Sequence, residues 1–128
     1  MIYLKTDEEI GLLRENNILV SQALAEVGRH IKPGVTTKQL DKIAEDFIRS
    51  HGAIPAFLGY QGYPASACIS VNDQVVHGIP SDKVVIKEGD IVQEESRNSW
   101  TYVTSHLCER AADQKVILAQ EFDFFVRL

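Results

Sequence analysis

The sequence predicts one α/β domain in which two helices precede a set of short strands. Two amphipathic stretches, each opened by a threonine in capping position, run from Thr6 to Gly52. From Ala53 onward the chain is punctuated by Gly and Pro with β-rich pieces between them. The length of 128 residues suits one domain. With 45% hydrophobic and 24% charged residues, composition is that of a globular core and excludes disorder, collagen and a disulfide-built miniprotein.

The first helix is expected to start after Thr6. Thr6 and Glu9 have capping-box spacing, and Asp7, Glu8 and Glu9 suit the positive end of the helix dipole. Ile10, Leu13, Val20, Leu24, Val27 and Ile31 recur at helical steps and predict one apolar stripe, weakened by Asn17. Pro33-Gly34 stops this helix, with His30 a surface residue in its last turn. A second helix follows, capped by Thr36 or Thr37. Leu40, Ile43, Ala44, Phe47 and Ile48 form its apolar face, and Lys38, Asp41, Lys42, Glu45 and Asp46 are expected to face water. Gly52 ends it, with His51 at the C-terminal turn.

The stretch after Ala53 reads as a loop carrying Phe57, Tyr60 and Tyr63, broken by Pro55, Gly59, Gly62 and Pro64. Strands are expected at Ala67–Val71 and Gln74–His77, joined by the turn pair Asn72-Asp73. Two more are expected at Val84–Ile86 and Ile91-Val92, separated by Glu88-Gly89-Asp90. Beyond Val92 the pattern weakens. Gln93–Ser99 is polar enough for a loop, Trp100–Leu107 alternates like a strand, and Ala111–Leu128 has an ambiguous period. The Phe122 to Val126 aromatic cluster needs a partner surface: it is either core or a face left bare by a missing remainder of the chain, and in the second case it offers a surface for self-association.

The net charge of −5 argues against a nucleic-acid binder, which needs clustered Lys and Arg. No apolar run approaches the ~20 residues that span a bilayer. Residues 1–9 lack the basic-then-apolar order of a secretory signal, so Cys68 and Cys108 are expected as reduced thiols of a cytoplasmic protein.

Chemistry is expected where the aromatic loop meets His77. Phe57, Tyr60 and Tyr63 are spaced to wall an apolar pocket. An imidazole at a strand end before Gly78-Ile79-Pro80 can project into a cleft, and its ordinary pKa of ~6.5 lets it exchange a proton near neutrality. The competing structural reading is a packed histidine and aromatics that fill a turn. Spacing alone leaves both open.

Five blocks then stand in order: Pro33-Gly34-Val35-Thr36-Thr37 with Leu40-Asp41; Gly59-Tyr60-Gln61-Gly62-Tyr63-Pro64; Cys68-Ile69-Ser70-Val71-Asn72; Val76-His77-Gly78-Ile79-Pro80; and Gly89-Asp90-Ile91-Val92. Together they resemble the N-terminal half of a type I methionine aminopeptidase over residues 1–92, leaving 93–128 as a tail without that resemblance. The resemblance implies half of the pita-bread architecture of creatinase- and aminopeptidase-like proteins, with a curved antiparallel sheet inside and helices outside. It implies hydrolysis of the N-terminal Met from nascent polypeptides, with a peptide or nascent protein N-terminus as partner. Two divalent metals (cobalt, manganese, iron or zinc) would activate the water. It assigns His77 as the catalytic residue contacting substrate near the scissile peptide. Tyr60, Tyr63 and Cys68, with Phe57 as a neighbour, would take the methionine side chain, whose soft thioether suits such a pocket.

The metal ligands do not carry over. After Gly89-Asp90-Ile91-Val92 the family has an Asp, and another further along. Here Glu95 and His106 fall at those places in a context that does not match, and they read as an exposed carboxylate and an incidental histidine. No metal ligand is assigned. The chain by itself is expected to be incomplete and inactive, through truncation, an altered frame or a divergent tail. The alternative function is a non-catalytic peptide- or protein-binding module on half of the same scaffold.

Overall fold

The two capping boxes form as the threonine spacing requires. In a computed structural model that describes residues 4–74, 77–95, 115–117 and 124–127, helix α1 spans Asp7–His30 and helix α2 spans Thr37–Ser50. Thr6 Oγ1 accepts from Glu9 N, and Glu9 reaches back to Thr6 N at 2.9 Å. Thr36 and Gln39 repeat the arrangement at the start of α2.

The apolar faces of the two helices meet, and α2 carries the centre of the core. Leu40 is 0% exposed, a burial worth about 2 kcal/mol. It packs with Val27, Ile31 and Ala44 from the helices against Ala67, Ile69, Val71, Ile86 and Val92. Only the second half of the predicted α1 stripe is buried, through Val20, Leu24 and Val27. Ile10 is exposed, as are Leu4, Leu12 and Ile18. The cause is length: α2 has 14 residues and α1 has 24, so α2 cannot cover the whole stripe.

Among the described residues five strands follow. They are β1 (Ala53–Pro55), β2 (Cys68–Val71), β3 (Ile91–Glu95), β4 (Lys115–Ile117) and β5 (Phe124–Arg127). Strands β2, β3 and β5 form an antiparallel sheet in that order, with Cys68 opposite Glu95 and Val71 opposite Val92. Strand β1 pairs in parallel with β4. The expected α/β class is the class found.

Several local expectations need correction. Ala53–Pro55, read as loop, is a strand because β4 supplies a ladder partner from far along the chain. Gln93–Glu95, read as polar loop, extends β3, since β2 and β5 pair on its two sides. Gln74 and His77 belong to no strand, and His77 has φ +57°, a left-handed conformation incompatible with a ladder. Val84–Ile86 forms only a single bridge, Thr36 to Val85. Its neighbour is the short Gly34–Thr37 turn, which offers bonds to Ile86 and Val84 but no extended partner. Asp41, read as solvated, is 3% exposed. The expected Trp100–Leu107 strand and the side chains of the Phe122–Val126 cluster lie outside the described residues, as do Cys108 and His106.

Candidate active site

The loop between β1 and β2 folds back on itself. Gly59 takes φ +81°, which a residue with Cβ resists, and a 3-10 turn follows at Tyr60–Gly62. Tyr60 N donates to Phe57 O, Tyr63 N to Tyr60 O, and Gly59 N to Tyr63 O. This closure brings the rings of Phe57 and Tyr63 together edge to face, with centroids 6.2 Å apart. The Tyr63 hydroxyl donates to Ala67 O at 3.0 Å and shares a side-chain hydrogen bond with Cys68. Burial, then the Cys68 contact, pushes the Tyr63 phenol above its usual range, so it stays a neutral donor.

Three of the predicted pocket residues, Phe57, Tyr63 and Cys68, therefore share one cluster. Phe57 and Tyr63 are half-buried and Cys68 is a buried free thiol. Tyr60 sits on the same turn but is 40% exposed, with Gln61 Nε2 near its hydroxyl.

His77 stands at the edge of β2, exposed. Its position is set by the next residue. Gly78 N donates to Ser70 Oγ at 3.1 Å, and Gly78 O accepts from Ile69 N at 2.8 Å. A Cβ at Gly78 would overlap the Ile69 carbonyl oxygen, so only glycine allows this approach. Two ends of the 72–90 excursion are clasped as well. Asn72 Nδ2 donates to Asp90 Oδ1, and Asn72 Oδ1 accepts from Ile91 N. The Asn72 amide, with Lys87 N second, holds the Asp90 carboxyl below the usual range.

Beneath β2 lies a residue the sequence reading placed in water. Asp41 Oδ1 accepts from Ser66 N at 2.8 Å and Ala67 N at 3.0 Å. The available signal was its place in the Leu40-Asp41 block, since a helix face by itself does not reveal a partner on another segment. Glu94 is the second surprise. It is 1% exposed, and neither carboxylate oxygen has a hydrogen-bond partner among the described residues. Burial, then the charge on Asp41, pushes its carboxyl up to about 8. Glu94 and Ser66 border a cleft between α1, α2 and Phe57 with about 400 Å³ of empty space, its open side included.

Register puts Glu95 opposite Cys68, on a strand next to the site. Among the described residues no group of three or more His, Cys, Asp or Glu side chains could hold an ion. The described residues do not fit a two-metal centre.

The aromatic loop and the buried Cys68 thiol lie at the start of β2, and His77 is exposed next to the Gly78 contact with the same strand. Residues 11–106 match metallopeptidase family M24. Methionine aminopeptidase 1 of Bacillus subtilis is 42% identical over 127 residues, covering 92% of this chain and 50% of that protein. The methionine aminopeptidase of Clostridium acetobutylicum is 50% identical over 92 residues, covering 72% of this chain and 37% of that protein. The crystal structure of methionine aminopeptidase from Rickettsia prowazekii superposes with a TM-score of 0.71 at 43% identity, over 74% of this chain and 38% of that one. The enzyme from Thermotoga maritima gives a TM-score of 0.71 at 40% identity, with the same coverage. The chain thus spans half or less of the length of these relatives. On this match over most of its length, the chain belongs to metallopeptidase family M24, and methionine aminopeptidases are among its relatives.

Proposed function

We propose that this chain provides the methionine-recognising part of a metal-dependent aminopeptidase acting on the N-terminus of nascent polypeptides, on half of a pita-bread scaffold. The observation that carries this is the Phe57–Tyr63–Cys68 cluster, with His77 held at the edge of the same strand. The cluster takes the methionine side chain, whose flexible thioether packs well against aromatic edges. Tyr60 closes the outer side of that pocket. His77 reaches the substrate from solvent and exchanges a proton or a hydrogen bond at the scissile peptide. A divalent metal pair of the kind used in the family (cobalt, manganese, iron or zinc) would supply an activated water and a polarised carbonyl. The described residues furnish no cluster for it.

That last observation favours a second reading, a peptide-binding module without turnover. Calorimetry with Met-Ala-Ser and Gly-Ala-Ser peptides tests recognition. Burying a methionine side chain is worth about 1.5–3 kcal/mol, so the Met peptide is expected to bind roughly ten- to a hundredfold more tightly. Equal binding of the two peptides would overturn both readings. Adding cobalt or manganese and following methionine release separates them. Release that His77→Ala lowers by about a hundredfold or more identifies the enzyme, whereas binding without release identifies the module.

A further inference from the structure

We propose that Asp41 is a positioning residue for the methionine pocket: from α2 its carboxylate holds the Ser66–Ala67 backbone, and through Ala67 it sets the Tyr63 ring. This requires that the Phe57–Tyr63–Cys68 cluster receives methionine, as proposed above.

The contacts form a continuous relay. Asp41 accepts the N–H groups of Ser66 and Ala67, the two residues that lead directly into β2 and Cys68. Ala67 is engaged at both ends: its N–H goes to Asp41, and its carbonyl accepts the Tyr63 hydroxyl. The Tyr63 hydroxyl in turn meets Cys68. Movement of the Ser66–Ala67 backbone therefore moves both the aromatic wall and the thiol.

Nothing in α2 itself needs a carboxylate at this position. That helix is capped by Thr36 and Gln39, and its apolar face is complete without Asp41. A carboxylate only 3% exposed is costly unless its oxygens are occupied. Its occupants are two backbone N–H groups from a segment some 25 residues away, with Lys38 Nζ further off at 3.5 Å. Hydrogen bonds to a charged acceptor are the strong kind, which suits a contact that must hold a loop in one geometry.

The test uses the whole chain and the same two peptides. Asp41→Ala is expected to reduce the preference for Met-Ala-Ser over Gly-Ala-Ser about tenfold, the loss expected from one charged hydrogen bond. Gly-Ala-Ser affinity should stay unchanged, and Asp41→Asn, whose amide oxygen can accept the same two N–H groups, should recover most of the preference. A folded Asp41→Ala chain with the parental preference would overturn the proposal. Should Asp41→Ala not fold, Asp41→Asn carrying 3-fluorotyrosine decides, with the Tyr63 resonance identified through Tyr63→Phe. Compared with Asp41→Asn, Asp41→Ser, which lacks the same charge but is too short to keep both N–H contacts, should shift the Tyr63 fluorine signal and leave Tyr60 in place, and a Tyr63 signal equal in the two variants would overturn the proposal. If the parent chain does not distinguish the two peptides, the methionine reading fails. The fluorine signal then still upholds or overturns the link from Asp41 to Tyr63.

Discussion

Gly78 shows how tightly a single residue can be specified. Its N–H and carbonyl both bond to β2, and the position a Cβ would take lies 2.7 Å from the Ile69 carbonyl carbon and 2.9 Å from Ser70 Cα. These are backbone atoms, which cannot swing aside. Gly78→Ala is expected to cost about 3 kcal/mol, the upper end of ordinary overpacking, and to move His77 away from the β2 edge. Urea unfolding would measure the first effect, and a midpoint equal to that of the parent would show that the segment shifts freely. The neighbouring His77 spends conformational energy of its own at φ +57°, a cost that persists only where surrounding contacts impose it. Here those contacts are the Gly78 bonds on one side and the Asn72–Asp90 clasp at the ends of the excursion. The motif His77-Gly78 was legible in the sequence, but its conformation was not. The strand expected at Gln74–His77 fails because the partner of β2 turns out to be β3, from much later in the chain.

At the scale of elements, the two capping boxes look equivalent in sequence and are not equivalent in the fold. Thr36 opens the helix that carries Leu40 into the core, and it also bridges to Val85. Thr6 opens the end of α1 that leaves Ile10 and Leu12 exposed. Thr36→Ala is expected to lower stability by about 1 kcal/mol or slightly more, a typical cap loss. Thr6→Ala is expected to cost less, since that end can fray without opening the core. Thermal unfolding of the two variants gives the order directly, and the reverse order would contradict this account. The caps were readable because donor and acceptor lie three residues apart. The extent of the buried stripe was not readable, because α2 has to be present, with its shorter length, to decide which α1 residues are covered.

For the molecule as a whole, Glu94 makes the core sensitive to pH. Its carboxyl lies inside, without a hydrogen-bond partner among the described residues, in a strand flanked by Asp41 from α2, and the apolar residues Val20, Ala23 and Leu24 of α1 line the same cleft. Its folded pKa of about 8 lies above the ordinary 4.5. Between these values the folded state binds the proton and the unfolded state does not. Stability from this group is therefore full below about 4.5 and falls as pH rises toward about 8. One proton limits the slope to about 1.4 kcal/mol per pH unit. Urea unfolding across this range should show the decline, and Glu94→Gln should flatten it; an equal slope in that variant would remove Glu94 as the cause. Glu94→Leu is expected to raise stability at pH 8 by about 1–3 kcal/mol, by replacing an unsatisfied polar group.

The amino-acid sequence by itself determined the two helices, their caps, the aromatic loop, the turn at Asn72-Asp73 and the motif blocks that point to a metallopeptidase relative. All of these depend on residues a few positions apart. Only the tertiary structure decided that Asp41 turns inward to hold Ser66 and Ala67, that Tyr63 rather than Tyr60 joins Phe57 and Cys68, and that Glu94 is buried. Each of these depends on which distant segment supplies the hydrogen-bond partner or excludes the water. A carboxylate on a helix or strand reads the same in sequence whether its neighbour is solvent or a backbone N–H brought in by the fold.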